Sequence, residues 1–216
     1  MASSSWCWER SSLSCSPGCC NEGPVRATIG GGPSRRRSVD VPAEVARQFQ
    51  EVGRLLWEAG LVSSHGGNIS VRLPDGRVVI TCHGSMLGRL APDDLVVLGE
   101  GSSSVAPSMD TALHQGIYAA SPAGAVVHAH PRHAIALALA GEALRPRDLE
   151  GRHHLGEVVP VVARQEEVPA VLTSHAIAVV AGHGSYARGD DLWQALQLTS
   201  ILEESCQIIW LLRALG

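Results

Sequence analysis

The chain has 216 residues, 45% hydrophobic and 18% charged, with a formal net charge of −4, which suits one globular domain with a sizeable core. All 17 basic residues are Arg. The absence of Lys excludes an imine-forming aldolase, a pyridoxal-phosphate enzyme and a Walker-A nucleotide binder, each of which needs a specific Lys amine.

Charge is unevenly distributed. Residues 1–39 hold nine Ser, four of the six Cys, five Arg and two acids, a net +3 that leaves −7 on residues 40–216. The segment 1–39 reads as a disordered or misassigned leader, ending in a Gly-rich linker that runs into Arg35, Arg36 and Arg37. Cys82 and Cys206 lie far apart in the body, so no disulfide framework is indicated and a cytoplasmic location is expected. No apolar run approaches the roughly 18 residues of a membrane span, so no membrane partner is expected.

Residues 40–216 read as alternating helices and strands. After Pro42, the positions Val45, Phe49, Val52, Leu55, Leu56 and Ala59 follow the helical period, and Gly60 closes the run. The runs 69–73 and 77–81 flank Pro74, Asp75 and Gly76, a turn sequence that predicts a hairpin. Helical spacing returns over 109–119, and a short apolar run from Ala125 to His130 predicts a strand that stops at Pro131. A helix over 133–140, strands over 158–162 and 177–181, and a long terminal helix capped by Asp190 or Asp191 complete the pattern. The sum is an α/β domain with a central sheet and helices on both faces.

Ten His residues in an acidic body are the informative feature. In a strand, residues two apart share a face, so His128 and His130 point together. Imidazole pairs of this kind bind borderline metals such as zinc, and they also occur as pairs satisfied by local hydrogen bonds. His183, after an apolar strand and between two Gly residues that permit close approach, is the best candidate for a third ligand.

Five motifs in order carry a resemblance: His65-Gly-Gly-Asn68-Ile-Ser, Thr81-Cys-His-Gly84-Ser, Pro107-Ser108-Met-Asp110-Thr-Ala-Leu-His114, Ala125-Val-Val-His128-Ala-His130 and Gly182-His183-Gly. From about Val41 to Leu215 the chain resembles the class II aldolase/adducin family of metal-dependent sugar-phosphate aldolases, epimerases and dehydratases. The resemblance implies a single three-layer α/β/α domain with a central, mostly antiparallel sheet. It makes His128, His130 and His183 the ligands of a divalent metal, foremost Zn2+, with Mn2+, Co2+ or Fe2+ as alternatives. Asp110 becomes the catalytic carboxylate, as base or as fourth ligand, and His114, one helical turn on, is either its orienting partner or a packing residue. Asn68, Gly84, Ser85 and Ser108 become donors to a substrate phosphate.

Three positions depart from the family pattern, one of them His65 beside the Gly-Gly-Asn turn, which reads as a pocket-lining residue. His83 stands where a Thr is usual and still offers a donor, whereas Met109 stands in place of a second Ser and offers none. Glu150, His153 and His154 are what the chain offers for the acid that the epimerases carry, and of the two Tyr residues, Tyr118 reads as core and Tyr186 follows the site glycine.

The resemblance implies a divalent-metal aldolase that cleaves a short keto-sugar phosphate, fuculose-1-phosphate-like, through a metal-stabilised enediolate. An L-ribulose-5-phosphate 4-epimerase or a sugar-phosphate dehydratase or decarboxylase on the same scaffold is the alternative. A non-catalytic adducin-type interaction module is the reading from a different class, and retention of all three His residues speaks against it. The expected partners are a small sugar phosphate and further copies of the chain, by resemblance a homotetramer; the acidic body offers nothing to nucleic acid.

Overall fold

A computed structural model describes residues 41–99 and 105–216; the leader expected over 1–39 lies outside the described residues. Helix α1 (Ala43–Glu58) follows Pro42 and ends where Gly60 takes a positive φ of 69°. Strands β1 (Asn68–Arg72) and β2 (Val78–Thr81) form the expected hairpin, with Gly76 at φ 87° in the turn that only Gly enters without strain. A short strand, β3 (Leu95–Val97), then pairs with β2.

Helix α2 (Thr111–Ala120) precedes β4 (Ala125–Ala129), which ends at the site and passes through Pro131 into α3 (Arg132–Leu139). Beyond it come α4 (Leu149–Leu155), β5 (Val161–Val162), the single turn α5 (Val168–Val171), β6 (Ile177–Val180) and β7 (Gly184–Gly189). The chain closes with α6 (Leu192–Ala214), and the cap is resolved in favour of Asp191, whose side chain accepts from the backbone N–H of Gln194. The strand expected over 158–162 is shorter than its apolar run: only Val161 and Val162 join the sheet, while Val159 makes an isolated bridge to Leu144.

The seven strands run in the order β3-β2-β1-β4-β7-β6-β5, and every neighbouring pair is antiparallel except β5 and β6. Alternation along the strands divides the interior into two layers. Ile69, Val127, Val179 and Ala187 meet Phe49, Leu56, Leu137, Leu155 and Leu202 from α1, α3, α4 and α6. On the opposite face, Val126, Ala178, Val180 and Tyr186 meet Leu113, Ile117, Val168 and Leu172 from α2 and its following elements. Burying each aliphatic side chain contributes about 1.5–3 kcal/mol, so both layers stabilise the domain. β4 sits mid-sheet with all five residues buried, and this central strand carries His128 on the α2 face. Among the described residues no helix is long and apolar enough to cross a membrane.

Candidate metal centre

Three imidazoles converge where β4 ends beside the turn between β6 and β7. Nε2 of His128 lies 3.1 Å from Nε2 of both His130 and His183, and the ligand atoms of the three all fall within 4.8 Å of one another. Local structure accounts for each. Strand alternation turns His128 away from the aliphatic layer, and the backbone N–H of His130 donates to Leu61 O at 2.7 Å, fixing the chain just beyond the strand. His183 follows Gly182 in the tight turn, where its own N–H donates to Val180 O at 3.0 Å.

The flanking glycine expected to permit close approach does so. A Cβ on Gly184 would stand 2.7 Å from Cδ2 of His130 and 3.0 Å from Cε1 of His128.

The electrostatics suit a cation. Nδ1 of His128 faces the backbone carbonyl of Ser185 at 3.0 Å, so this nitrogen carries the proton and Nε2 presents a lone pair to the other two rings. Burial, then the adjacent His130, push the pKa of His128 far down, and burial with His183 lowers that of His130. Both rings are therefore neutral at ordinary pH, and neutral imidazole is the metal-binding form. A tetrahedral metal with bonds of roughly 2.0–2.1 Å to nitrogen requires nitrogens about 3.4 Å apart, close to the two edges observed. The residues present thus fit a divalent metal.

Asp110 occupies the N-cap position of α2 yet makes no capping hydrogen bond. Its carboxylate turns to the sheet instead: Oδ2 accepts from Nδ2 of Asn68 at 2.7 Å and from the hydroxyl of Tyr186 at 3.3 Å, and lies 3.8 Å from Nε2 of His128. Burial opposes its ionisation, but the Asn68 amide and the nearby imidazoles outweigh it and hold the pKa below the ordinary value. The start of a helix also favours the anion.

The remaining expected residues fall into two groups. Ser108 is buried, its hydroxyl accepting from the Asp110 N–H at 3.3 Å, and its own N–H donates to Thr81 O at 3.1 Å. His83, Gly84 and Ser85 form the turn after β2, tied by a bond from His83 N to Ala106 O to the segment that carries Ser108, while the remaining candidate donor, Asn68, lies on β1. Gly84 has φ 75°, the Ser85 hydroxyl is spent on Cys82 O at 3.0 Å, and Met109 is highly exposed.

The second group stays away from the site. His154 pairs with Glu150 at 3.3 Å on α4, and His153 stacks edge-on against His154. Their helix packs through Leu155 into the α6 layer, on the face of the sheet opposite to Asp110. His114 lies on the inner face of α2, fully buried, with Nδ1 2.7 Å from the Ser70 hydroxyl, which also meets Tyr118 at 2.8 Å. This matches the core reading of Tyr118.

The fold gives Tyr186, already singled out by its place after the site glycine, a definite role, and it adds Glu203. Tyr186 stacks on His128 with ring centroids 4.1 Å apart and planes 10° apart. Burial and the facing Asp110 raise its pKa, so the phenol stays protonated. Glu203, on α6, binds the first turn of α3. The single clue to Tyr186 was its place two residues after Gly184; Glu203 gave no local clue.

The profile of the class II aldolase and adducin N-terminal domain matches residues 47–210. A methylthioribulose-1-phosphate dehydratase from Methylococcus capsulatus is 33% identical over 182 residues, 73% of this chain and 89% of the relative. A 3-oxo-tetronate 4-phosphate decarboxylase from Haemophilus influenzae is 30% identical over 179 residues, 76% of this chain and 85% of the relative. Among solved structures, L-fuculose-1-phosphate aldolase from Thermus thermophilus superposes with a TM-score of 0.74 at 37% identity, covering 80% of this chain and 95% of its own.

Proposed function

Because the chain belongs to the class II aldolase and adducin family, whose aldolase branch is metal-dependent, we propose that it is a lyase of the dehydratase type that removes water from a ketose 1-phosphate resembling methylthioribulose 1-phosphate. The observation that carries this reading is the Asp110 carboxylate, ionised, not used as a cap, and 3.8 Å from an imidazole of the His cluster. Similarity to several methylthioribulose-1-phosphate dehydratases supports dehydration over the fuculose-1-phosphate aldolase expected at first.

Loss of water from a 2-ketose phosphate begins with removal of the proton on C3. Asp110 takes that proton, the C3–H electrons form a C2–C3 double bond, and the C2–O π pair moves onto oxygen to give an enolate. When that pair re-forms the C2 carbonyl, the C2–C3 electrons become a C3–C4 double bond and the C4–O pair leaves with oxygen, to which the protonated Asp110 returns the proton as water. A divalent metal held by His128, His130 and His183 would supply Lewis-acid stabilisation for negative charge at the ketone oxygen. With no Lys in the chain, an imine cannot provide that stabilisation. The backbone N–H of Gly84, the Ser108 hydroxyl, the His83 ring and the second amide hydrogen of Asn68 are the donors for the phosphate.

Incubation of the metal-loaded protein with methylthioribulose 1-phosphate, followed by mass spectrometry, tests the reading. Loss of one water with no aldehyde released supports it, and Asp110→Asn should cost at least about 100-fold in kcat. Release of an aldehyde would overturn it in favour of the aldolase, the second reading, which the 37% identity to the Thermus thermophilus enzyme supports.

A further inference from the structure

Three strands place one residue each in a single row across the sheet: Asn68 of β1 stands opposite His128 of β4, and His128 stands opposite Tyr186 of β7. Residues opposite one another share a face, so all three side chains meet beneath α2. Tyr186 is fully buried and reaches no solvent-facing ligand itself. Its closest ring contact and its hydrogen bond point to different groups. The ring lies parallel to His128 at 4.1 Å, and the hydroxyl donates to Oδ2 of Asp110 at 3.3 Å.

Asn68 donates to that same oxygen at 2.7 Å, and the short approach to His128 is again through Oδ2. A carboxylate held by two donors on one oxygen cannot rotate about its Cβ–Cγ bond without losing both. The other oxygen, Oδ1, is left as the atom with lone pairs to spare.

We propose that Tyr186 is a positioning residue for this reaction: its hydroxyl, with Asn68, pins Oδ2 of Asp110 so that Oδ1 exchanges the proton with substrate, while its ring fixes the plane of the metal ligand His128. The proposal rests on Asp110 being the proton-transfer group. It separates two functions on one side chain, and the separation makes it testable. Tyr186→Phe deletes the hydroxyl and keeps the stack; Tyr186→Leu deletes both.

The experiment titrates Co2+ into metal-free wild type and both variants by calorimetry, and measures kcat and KM of the loaded proteins with methylthioribulose 1-phosphate. Tyr186→Phe should bind Co2+ within about twofold of wild type, keep KM, and lose about tenfold in kcat, the scale of one hydrogen bond to a charged group. Tyr186→Leu should in addition bind Co2+ about tenfold more weakly, as expected for loss of a group that orients a ligand. A merely structural Tyr would lower thermal stability and leave kcat unchanged. Wild-type kcat in Tyr186→Phe, alongside an inactive Asp110→Asn, overturns the hydroxyl role and leaves the reading of Asp110 standing. Full activity in Asp110→Asn, or no water loss with wild type, overturns the reading itself. Undiminished Co2+ affinity in Tyr186→Leu overturns the role of the ring.

Discussion

Glu203 caps a helix on which it does not lie: its carboxylate accepts from the backbone N–H of His133 at 3.0 Å and of Ala134 at 3.3 Å, and its Oε1 lies 2.8 Å from Nδ1 of the His133 ring. The reason is local. The N-cap of α3 is Pro131, whose side chain has no acceptor, so the first-turn amides need one from elsewhere. α6 supplies it, fastening the helix that begins just after His130. Glu203→Ala should therefore destabilise the domain by about 2 kcal/mol, the cost of a lost cap with charged hydrogen bonds, and Glu203→Gln by less. Denaturant midpoints of the three proteins check this.

Stability should also fall on mild acidification. Burial pushes the pKa of His114 down to about 4, from an ordinary 6.5. Below about pH 6.5 the unfolded chain takes up a proton at this residue and the folded chain refuses it. The contribution is thus complete above that pH and lost as pH falls towards about 4, on the order of 3 kcal/mol in total. His128 acts in the same direction. Denaturant midpoints of metal-free protein at about pH 7 and about pH 5 should show the decline, and His114→Gln should flatten it.

Gly184→Ala should weaken metal binding by at least about tenfold. The added Cβ collides with the rings of His128 and His130 and with the carbonyl of Ala129, so the ligands must move or the β4–β7 pairing must open. Calorimetric titration with Zn2+ would detect it, and unchanged affinity would show that the strands yield instead.

His183 offers a cleaner probe of the ligand role, because unlike His128 it is exposed. His183→Ala should leave the metal-free protein as stable as wild type to within about 0.5 kcal/mol. Wild type should gain about 2.7 kcal/mol when free Zn2+ is about 100 times the Kd, a gain that chelator removes, and the variant should gain far less at the same concentration. Thermal melts with and without chelator give both quantities.

Much of this centre was legible because local rules govern it. The two-residue period of β4 puts His128 on one face, whereas the helical spacing over 109–119 does not mark the start at Thr111, and Asp110 enters through the family resemblance. What the local pattern did not show was the use made of Asp110: a carboxylate before a helix reads as a cap until the sheet beside it is known to carry Asn68 and Tyr186. β7 was hidden because Gly184-Ser-Tyr-Ala-Arg-Gly189 has Gly at both ends and little β-branched character, while three-residue β3 is too short to show a period. Glu203 lies 70 positions from the residue it caps, a relationship no window of sequence contains. Residues 158–160 read as strand from their apolarity, but Pro160 lacks the N–H a paired strand would use.

The row formed by Asn68, His128 and Tyr186 makes the centre a property of strand parity as much as of side-chain chemistry. One residue inserted within β1 or β7 would carry Asn68 or Tyr186 through the sheet into the aliphatic layer under α6, although every functional residue would still be present in the chain. Substitutions can adjust this site by degrees, whereas changes of length in its strands can be accommodated only in steps of two residues.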